Sequence, residues 1–263
     1  MRSLFVSALL VGLVGCTPGR SGGEVGAEAQ ALEGARSSGR RLVKAEQVWA
    51  PPPGGDGAPL HALAWEHGDG TRTPVELPPV VDAVAFGDAI AWVDGERVLR
   101  LDEVVLARGV FAAPRRSPDG ARAAWVVARE EGPRLEAELW VAELDGLAAV
   151  AGALAAGEAP RGGEIARFPT GLQSLGALRW APDGRSVLGV GAQPSGVAGL
   201  WRIDAEGGEA RCLSNCDLRV GEDWGDRYVR PPGSASALRF EGDEVVWDGA
   251  DARPVRRRWR GAP

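Results

Sequence analysis

The feature that most limits the fold of this 263-residue chain is an internal repeat. Residues 116–146 contain a Ser-Pro-Asp-Gly turn, an apolar segment and a Leu-Trp segment that ends in an acidic-glycine turn. Residues 180–208 present a Pro-Asp-Gly turn, an apolar segment, Leu-Trp and an acidic-glycine turn in the same order. A period of roughly 20 to 50 residues is typical of supersecondary units that bury their apolar faces only by stacking on one another.

Each unit predicts a hairpin followed by a third strand. In the Ser-Pro-Asp-Gly turn, proline fixes φ for a type I turn, and the Ser and Asp side chains hydrogen-bond the turn backbone. Glycine then adopts the left-handed conformation that directs the chain into the second strand of the hairpin. The flanking segments are short, partly alternating and rich in Val, Leu and Trp, as half-buried strands are. We therefore predict small antiparallel sheets that stack face to face.

These units resemble the WD-like repeats of TolB-type β-propellers, whose blades commonly carry Ser-Pro-Asp-Gly and a following Leu-Trp or Leu-Tyr strand. The resemblance covers residues 60–260 and implies an all-β propeller of four-stranded antiparallel blades. The length of the domain predicts about five blades, or alternatively four, at about 40–45 residues each. A two-sheet sandwich is the rival fold, but it does not explain why two motifs recur in one order.

The first residues have the pattern of a bacterial lipoprotein signal peptide. The apolar run at residues 4–14 is too short to cross a bilayer as a helix, which takes about 20 residues. It ends in Leu-Val-Gly-Cys at residues 13–16, which resembles a lipobox. We predict a signal peptide at residues 1–15 and acylation of Cys16, where several acyl chains give stable membrane anchoring. The alternative is an ordinary secretory signal with a chance cysteine.

The segment after Cys16 is rich in Gly, Ala, Ser and Glu and has few large apolar residues. Such a composition does not offset the entropy of ordering a chain. We predict a flexible tether at residues 16–41 and a propeller domain at residues 42–263. Thr17 follows the cysteine, and the resemblance to sorted lipoproteins implies the outer membrane, on its periplasmic side.

The charge of the chain argues against a nucleic-acid surface. The formal net charge is −6, whereas nucleic-acid binding normally shows a basic stripe and a basic isoelectric point. Arginines do cluster at residues 256–258 and at Arg260. We interpret them as a solvated edge strand, and contact with anionic lipid headgroups or an acidic partner is the alternative.

Two further cysteines, Cys212 and Cys216, lie close together in a predicted loop. Outside the cytoplasm an even pair favours a local disulfide, which we predict here. The alternative is a pair of reduced thiols, because so short a loop is geometrically demanding. No zinc site is predicted, since there is no second Cys pair and His61 and His67 are far away in sequence.

The tryptophans divide into two groups. We assign four of them to the repeat and therefore to blade packing: Trp125, Trp140, Trp180 and Trp201. Of these, Trp140 and Trp201 are predicted to be equivalent and buried between adjacent sheets. Trp224 and Tyr228 lie outside the repeat, in an insertion that also carries the acidic stretch at residues 222–226. That stretch lacks the ligand order of a calcium loop, and we predict that the two aromatic residues contact a partner.

Catalytic patterns are scarce in this sequence. The only histidines are His61 and His67, and no paired nucleophile and base is recognisable. We therefore predict a non-catalytic module, without a cofactor, that binds an envelope protein or acts as a scaffold. The alternatives are a propeller-type hydrolase or lyase with its site at the channel mouth, and a lipoprotein with a purely structural role.

Overall fold

A computed structural model describes residues 39–52, 58–86, 89–131, 134–156, 165–249 and 252–260. The predicted signal peptide, Cys16 and most of the predicted tether lie outside these residues. None of the helices in the described segments combines the length and the apolar character needed to cross a bilayer.

The described residues form five consecutive antiparallel sheets. The first contains β1 (Arg40–Trp49), β2 (Leu60–His67) and β3 (Arg72–Pro74), and the second contains β4 (Asp82–Phe86), β5 (Ala89–Val93), β6 (Val98–Leu101) and β7 (Val104–Arg108). The third contains β8 (Val110–Arg116), β9 (Arg122–Glu131), β10 (Arg134–Glu143) and β11 (Ile165–Leu172). The fourth contains β12 (Ser174–Trp180), β13 (Ser186–Ala192), β14 (Gly199–Asp204) and β15 (Ala210–Cys212), and the fifth contains β16 (Arg239–Glu241), β17 (Glu244–Asp248) and β18 (Pro254–Arg258). Within each sheet, sequence neighbours are hydrogen-bonded neighbours.

The sheets are stacked as the blades of a β-propeller. The first strands of successive sheets, β1, β4, β8 and β12, lie side by side. Four buried apolar clusters each join one sheet to the next, from the first sheet through to the fifth. Stacking of this kind buries faces that a single small sheet leaves in water. The predicted all-β propeller is confirmed, with five blades in the described residues.

The two end sheets differ from the prediction because each has three strands in the described residues. In the first sheet, β3 is short, and Val80 forms only an isolated bridge with His61 before the chain enters β4. Val43 and Ala64 in the first sheet, and Val246 in the fifth, belong to none of the four clusters and are nevertheless buried. Each end sheet therefore buries part of its second face, although Arg239 and Arg256, which lie opposite Val246, are exposed.

The two Pro-Asp-Gly turns form as the sequence predicts. Asp119 accepts a hydrogen bond from the backbone N–H of Ala121 at 3.0 Å, and Gly120 has a φ of +76°. Gly184 occupies the same place in the second turn, with a φ of +67°. Arg122 donates to the carbonyl oxygen of Gly184 and so joins the two turns across the blade interface.

The tryptophan assignment needs one correction, which concerns Trp140. Trp140 and Trp201 occupy equivalent positions in the repeat, whereas Trp125 aligns with Gly189 and Trp180 aligns with Arg116. Trp201 lies opposite Gly189, is 6% exposed and donates its indole N–H to the carbonyl oxygen of Gly191 at 3.0 Å.

Trp140 is not fully buried, in contrast to the prediction. It lies opposite Trp125 and is only partly covered. The guanidinium of Arg167 lies 4.1 Å from its ring centroid. The large indole of Trp125 faces Trp140, whereas only a glycine faces Trp201. The third sheet therefore has less room to bury the ring of Trp140.

The Ala/Gly-rich segment after β10 forms the helix α1 (Leu144–Ala155). Leu147 and Val150 are buried in the cluster between the second and third sheets. Because most helical stability in proteins comes from packing of an apolar face, this contact explains why a segment of weak sequence signal is ordered.

Candidate partner-contact surface

The insertion at residues 213–238 links β15 of the fourth sheet to β16 of the fifth. A disulfide joins Cys212, the last residue of β15, to Cys216, with 5.6 Å between the two Cα atoms. This separation lies within the range that a disulfide spans without backbone movement. The crosslink therefore fixes the point at which the insertion leaves the blade.

Asn215 joins two separate parts of the insertion. Its side-chain N–H groups donate to the carbonyl oxygens of Ala198 and Val229, both at 2.8 Å, and its Oδ1 accepts from the backbone N–H of Val229 at 2.9 Å. The residue has a φ of +59°, in the left-handed region that asparagine tolerates better than most side chains. One side chain thus ties residues 215 and 229 to each other and to the β13–β14 loop.

Backbone contacts continue this attachment along the insertion. Arg219 forms an isolated β-bridge with Gly196 in the β13–β14 loop, and the N–H of Val220 donates to the carbonyl oxygen of Ser195 at 3.1 Å. At the far end, the indole of Trp247 donates to the carbonyl oxygen of Arg230 at 2.7 Å. The insertion is therefore anchored on both the fourth and the fifth sheets.

The structure brings the two predicted contact residues together on this anchored segment. A short 3-10 turn, Gly225–Arg227, separates Trp224 from Tyr228, and their rings stack with centroids 5.2 Å apart and planes inclined by 27°. The Trp224 indole donates to the carbonyl oxygen of Arg219 at 2.8 Å. Both residues are half-buried, and nearby Val220 is 61% exposed. The result is an apolar surface held in one orientation, which we call the Trp224–Tyr228 surface.

The segment that carries this surface is rich in acidic side chains. Asp217, Glu222, Asp223 and Asp226 are all exposed. Asp217 pairs with Arg227 at 3.6 Å, while Glu222 and Asp223 accept backbone N–H groups at 3.3 and 3.1 Å. Within the described residues, no three His, Cys, Asp or Glu side chains are grouped as a metal site would require.

A second polar cluster, on the inner strands, was missed by the sequence analysis. Asp82 of β4 is 8% exposed and pairs with Arg115 of β8 at 2.8 Å and with Lys44 of β1 at 3.4 Å. Lys44 also donates to the carbonyl oxygen of Val81 at 3.1 Å. The cluster thereby crosslinks the first three blades at their inner edges.

The electrostatics of this cluster favour an ionised Asp82. Burial raises the pKa of its carboxyl group, but the charges of Arg115 and Lys44 outweigh burial, so the pKa lies below its ordinary value. Burial and the charge of Lys44 lower the pKa of His61 nearby, and Asp82 opposes this shift. Because each carboxylate oxygen faces one cation, the geometry suits crosslinking of strands rather than proton transfer.

The other charged candidates also have structural partners. His67 lies in the first sheet, where its Nε2 is 2.9 Å from the hydroxyl of Thr73. Arg256 pairs with Glu241 and Glu244, which raises its pKa, and Arg260 pairs with Asp243 at 3.6 Å. The C-terminal arginines lie on or beside β18, an edge of the fifth sheet. Charged residues and Pro254 on an edge strand oppose pairing with other chains.

Comparisons with known proteins concern the fold. No family model matches the chain, and no curated protein matches it. It is similar in structure to the β-propeller domain of the trilobed protease from Pyrococcus furiosus, with 19% identity and a TM-score of 0.33, over 71% of this chain and 44% of that one. It is also similar to TolB from Agrobacterium tumefaciens, with 17% identity and a TM-score of 0.39, over 80% and 71% of the two chains. For TolB from Acinetobacter baumannii, the identity is 15% and the TM-score 0.29, over 85% and 64%.

Proposed function

We propose that this chain is an envelope lipoprotein, anchored to a membrane through acylated Cys16, whose propeller binds a protein partner without chemistry of its own. The anchor part of the proposal rests on the sequence of residues 1–16, in which a short apolar run ends in Leu-Val-Gly-Cys. The tether at residues 16–41 would separate the propeller from the membrane surface. The favoured location is the periplasmic side of the outer membrane.

The observation that carries the binding role is the anchoring of the Trp224–Tyr228 surface. A stacked aromatic pair is held on an insertion that the Cys212–Cys216 disulfide constrains at its start and that Asn215 ties to Val229. Aromatic anchors on rigid supports dominate the energetics of many interfaces, and a surface that is already ordered loses less entropy on binding. We infer that the insertion is the part of the chain that meets the partner.

Site-specific photocrosslinking in the cell envelope tests this proposal. A photoreactive residue at position 220, beside the aromatic pair, should give a defined protein adduct. The same residue at position 103, in the exposed β6–β7 turn of the second sheet, is the matched control and should not give that adduct. An identical adduct from both positions would contradict the assignment of the insertion as the contact surface.

The double variant Trp224→Ala and Tyr228→Ala completes the experiment. Both side chains are half-buried and belong to none of the blade clusters, so the variant should fold with a melting temperature near that of the original chain. The adduct at position 220 should disappear in this variant. An adduct of undiminished yield would refute the proposed role of the two rings.

A further inference from the structure

Contacts between an arginine and an aromatic ring recur along the described residues. Six rings in the described residues have a guanidinium carbon between 4.1 and 5.6 Å from the ring centroid. The pairs are Arg40 with Trp65, Arg100 with Trp92, Arg122 with Trp180, Arg167 with Trp140, Arg179 with Phe240, and Arg260 with Trp259. At these distances a cation is attracted by the negative face of the ring.

Trp224 and Tyr228 are not among these six rings. In the part of the chain that the structure describes, no guanidinium lies over either ring, although two arginines are close in sequence. The guanidinium of Arg219 donates to the carbonyl oxygens of Cys216 and Leu218. That of Arg227 pairs with Asp217 and donates to the carbonyl oxygen of Asp223.

The surroundings of the pair are suited to a cation from outside the chain. Glu222, Asp223 and Asp226 are exposed and lie within two residues of Trp224 in the sequence, and residues 222–226 contain no basic residue. A planar guanidinium can stack on an aromatic face while its edge hydrogen-bonds a carboxylate, which an ammonium group does less well. An arginine side chain can therefore use the ring faces and the carboxylates together.

We propose that the Trp224–Tyr228 surface recognises an arginine in an extended segment of the partner protein. The arginine stacks on the aromatic pair, and the carboxylates of Glu222, Asp223 and Asp226 complement its charge. This inference rests on the proposed function, and it adds the chemistry of the partner segment. It also predicts that the partner contact weakens as salt screens the exposed charges.

Peptide binding tests the inference with defined probes. The probes are a synthetic Gly/Ser peptide containing two arginines, the same peptide with lysines, and the same peptide with citrullines, which keep the shape and lose the charge. Binding is followed through the indole N–H resonance of Trp224, assigned by comparison with Trp224→Phe. We expect the arginine peptide to bind about tenfold more tightly than the citrulline peptide, with the lysine peptide between them. Equal affinities for arginine and citrulline peptides would overturn the inference.

Charge variants of the protein provide the matched control. The triple variant Glu222→Gln, Asp223→Asn and Asp226→Asn should lose most of its affinity for the arginine peptide. A second triple variant, Glu76→Gln, Glu96→Gln and Glu103→Gln, removes three exposed acids elsewhere in the propeller and should bind as the original chain does. Equal losses in both triple variants would mean that net charge alone drives binding, and would overturn the inference.

The same variants separate this inference from the proposed function. If the aromatic double variant abolishes the adduct at position 220 while the acidic triple variant keeps it, the surface is a contact site that does not recognise arginine. If neither variant changes the adduct, the two rings do not carry the partner contact and the inference is wrong, whereas absence of any adduct at position 220 in the original chain would contradict the proposed function. Loss of the adduct in both variants, together with preference for the arginine peptide, supports both.

Discussion

Replacing Asp82 with asparagine is expected to destabilise the propeller by about 3 kcal/mol, because it leaves two cations without their shared carboxylate. Removing one partner of a buried ion pair costs about 3–5 kcal/mol, whereas an exposed pair contributes about 0.2–1 kcal/mol. Asp82 is 8% exposed, but the side chains of Lys44 and Arg115 keep 16% and 23% of their surface in water. The expected cost therefore falls at the lower end of the buried range.

Urea denaturation followed by circular dichroism measures this loss. With a denaturant slope of about 2 kcal/mol per molar urea, a loss of about 3 kcal/mol moves the unfolding midpoint down by about 1.5 M. Asp243→Asn is the control, because it removes an exposed carboxylate that pairs with Arg260 at 3.6 Å. Its midpoint should stay close to that of the original chain, since surface ion pairs contribute little.

The pH dependence gives a second measure of the same cluster. The pKa of Asp82 is lower in the folded state than the value of about 3.9 expected in the unfolded chain. Above about pH 5 the carboxylate is ionised in both states, so its stabilising effect is fully present there. As the pH falls through the folded pKa, the unfolded state binds the proton first and this stabilisation is lost. Asp82→Asn should therefore lose less stability than the original chain on acidification.

A double-mutant cycle shows how much of the stability lost in Asp82→Asn comes from the ion pair with Arg115. Combining Asp82→Asn with Arg115→Met should give a coupling energy of about 2 kcal/mol, since the two side chains share one interaction. If Asp82→Asn lies within about 0.5 kcal/mol of the original chain at pH 7, as ordinary surface substitutions do, the cluster does not stabilise the fold and the reasoning is refuted.

Three further predictions concern the core, the disulfide and the anchor. Trp201→Ala should lower the free energy of unfolding by about 3–5 kcal/mol. Trp140→Ala should lower it clearly less, because the Trp140 ring is partly exposed, and equal shifts of the two urea midpoints would contradict this. Mass spectrometry without reduction should show Cys212 and Cys216 linked. Reduction should make the insertion more sensitive to proteases and should change the free energy of unfolding by a few kcal/mol at most. Complete alkylation of both thiols in the native protein would disprove the bond. Fatty-acid label should enter the protein and be absent from Cys16→Ala, and label retained in that variant would exclude the predicted anchor.

Local chemistry made much of the fold predictable from the sequence. The Pro-Asp-Gly turns form because proline, the aspartate side chain and glycine each satisfy one requirement of the turn within a few residues. The partial exposure of Trp140 was not predicted, because it depends on the residue that faces it across the strand pair, which is Trp125 for Trp140 and Gly189 for Trp201. Strand register was not predictable either. In β12 the register shifts between Gly176 and Arg179, and Ala177 has a φ of +50°. Bulges of this kind leave no reliable mark in the sequence.

The inner-strand cluster could not be predicted for a different reason. Asp82 and Arg115 are 33 residues apart, and their contact exists only because two blades stack with their first strands side by side. The one available sign was that Arg115 and Arg179 occupy equivalent positions in the repeat. Even so, Arg179 binds the carbonyl oxygens of Ala235 and Leu238 instead of a carboxylate. Equivalent positions thus perform the same kind of crosslinking with different partners.

The insertion shows why a long loop can be a rigid part of this propeller. Ordering a residue costs about 1–2 kcal/mol in backbone entropy, so an unsupported loop of this length would become ordered only on binding and would weaken the complex. Here the disulfide, the Asn215 hydrogen bonds and the bridge between Gly196 and Arg219 order the loop before any partner arrives. An attachment this extensive is not needed to connect two neighbouring blades. Its consequence is a fixed orientation of Trp224 and Tyr228, which is why the binding role is assigned to this insertion and not to the shorter turns of the other blades.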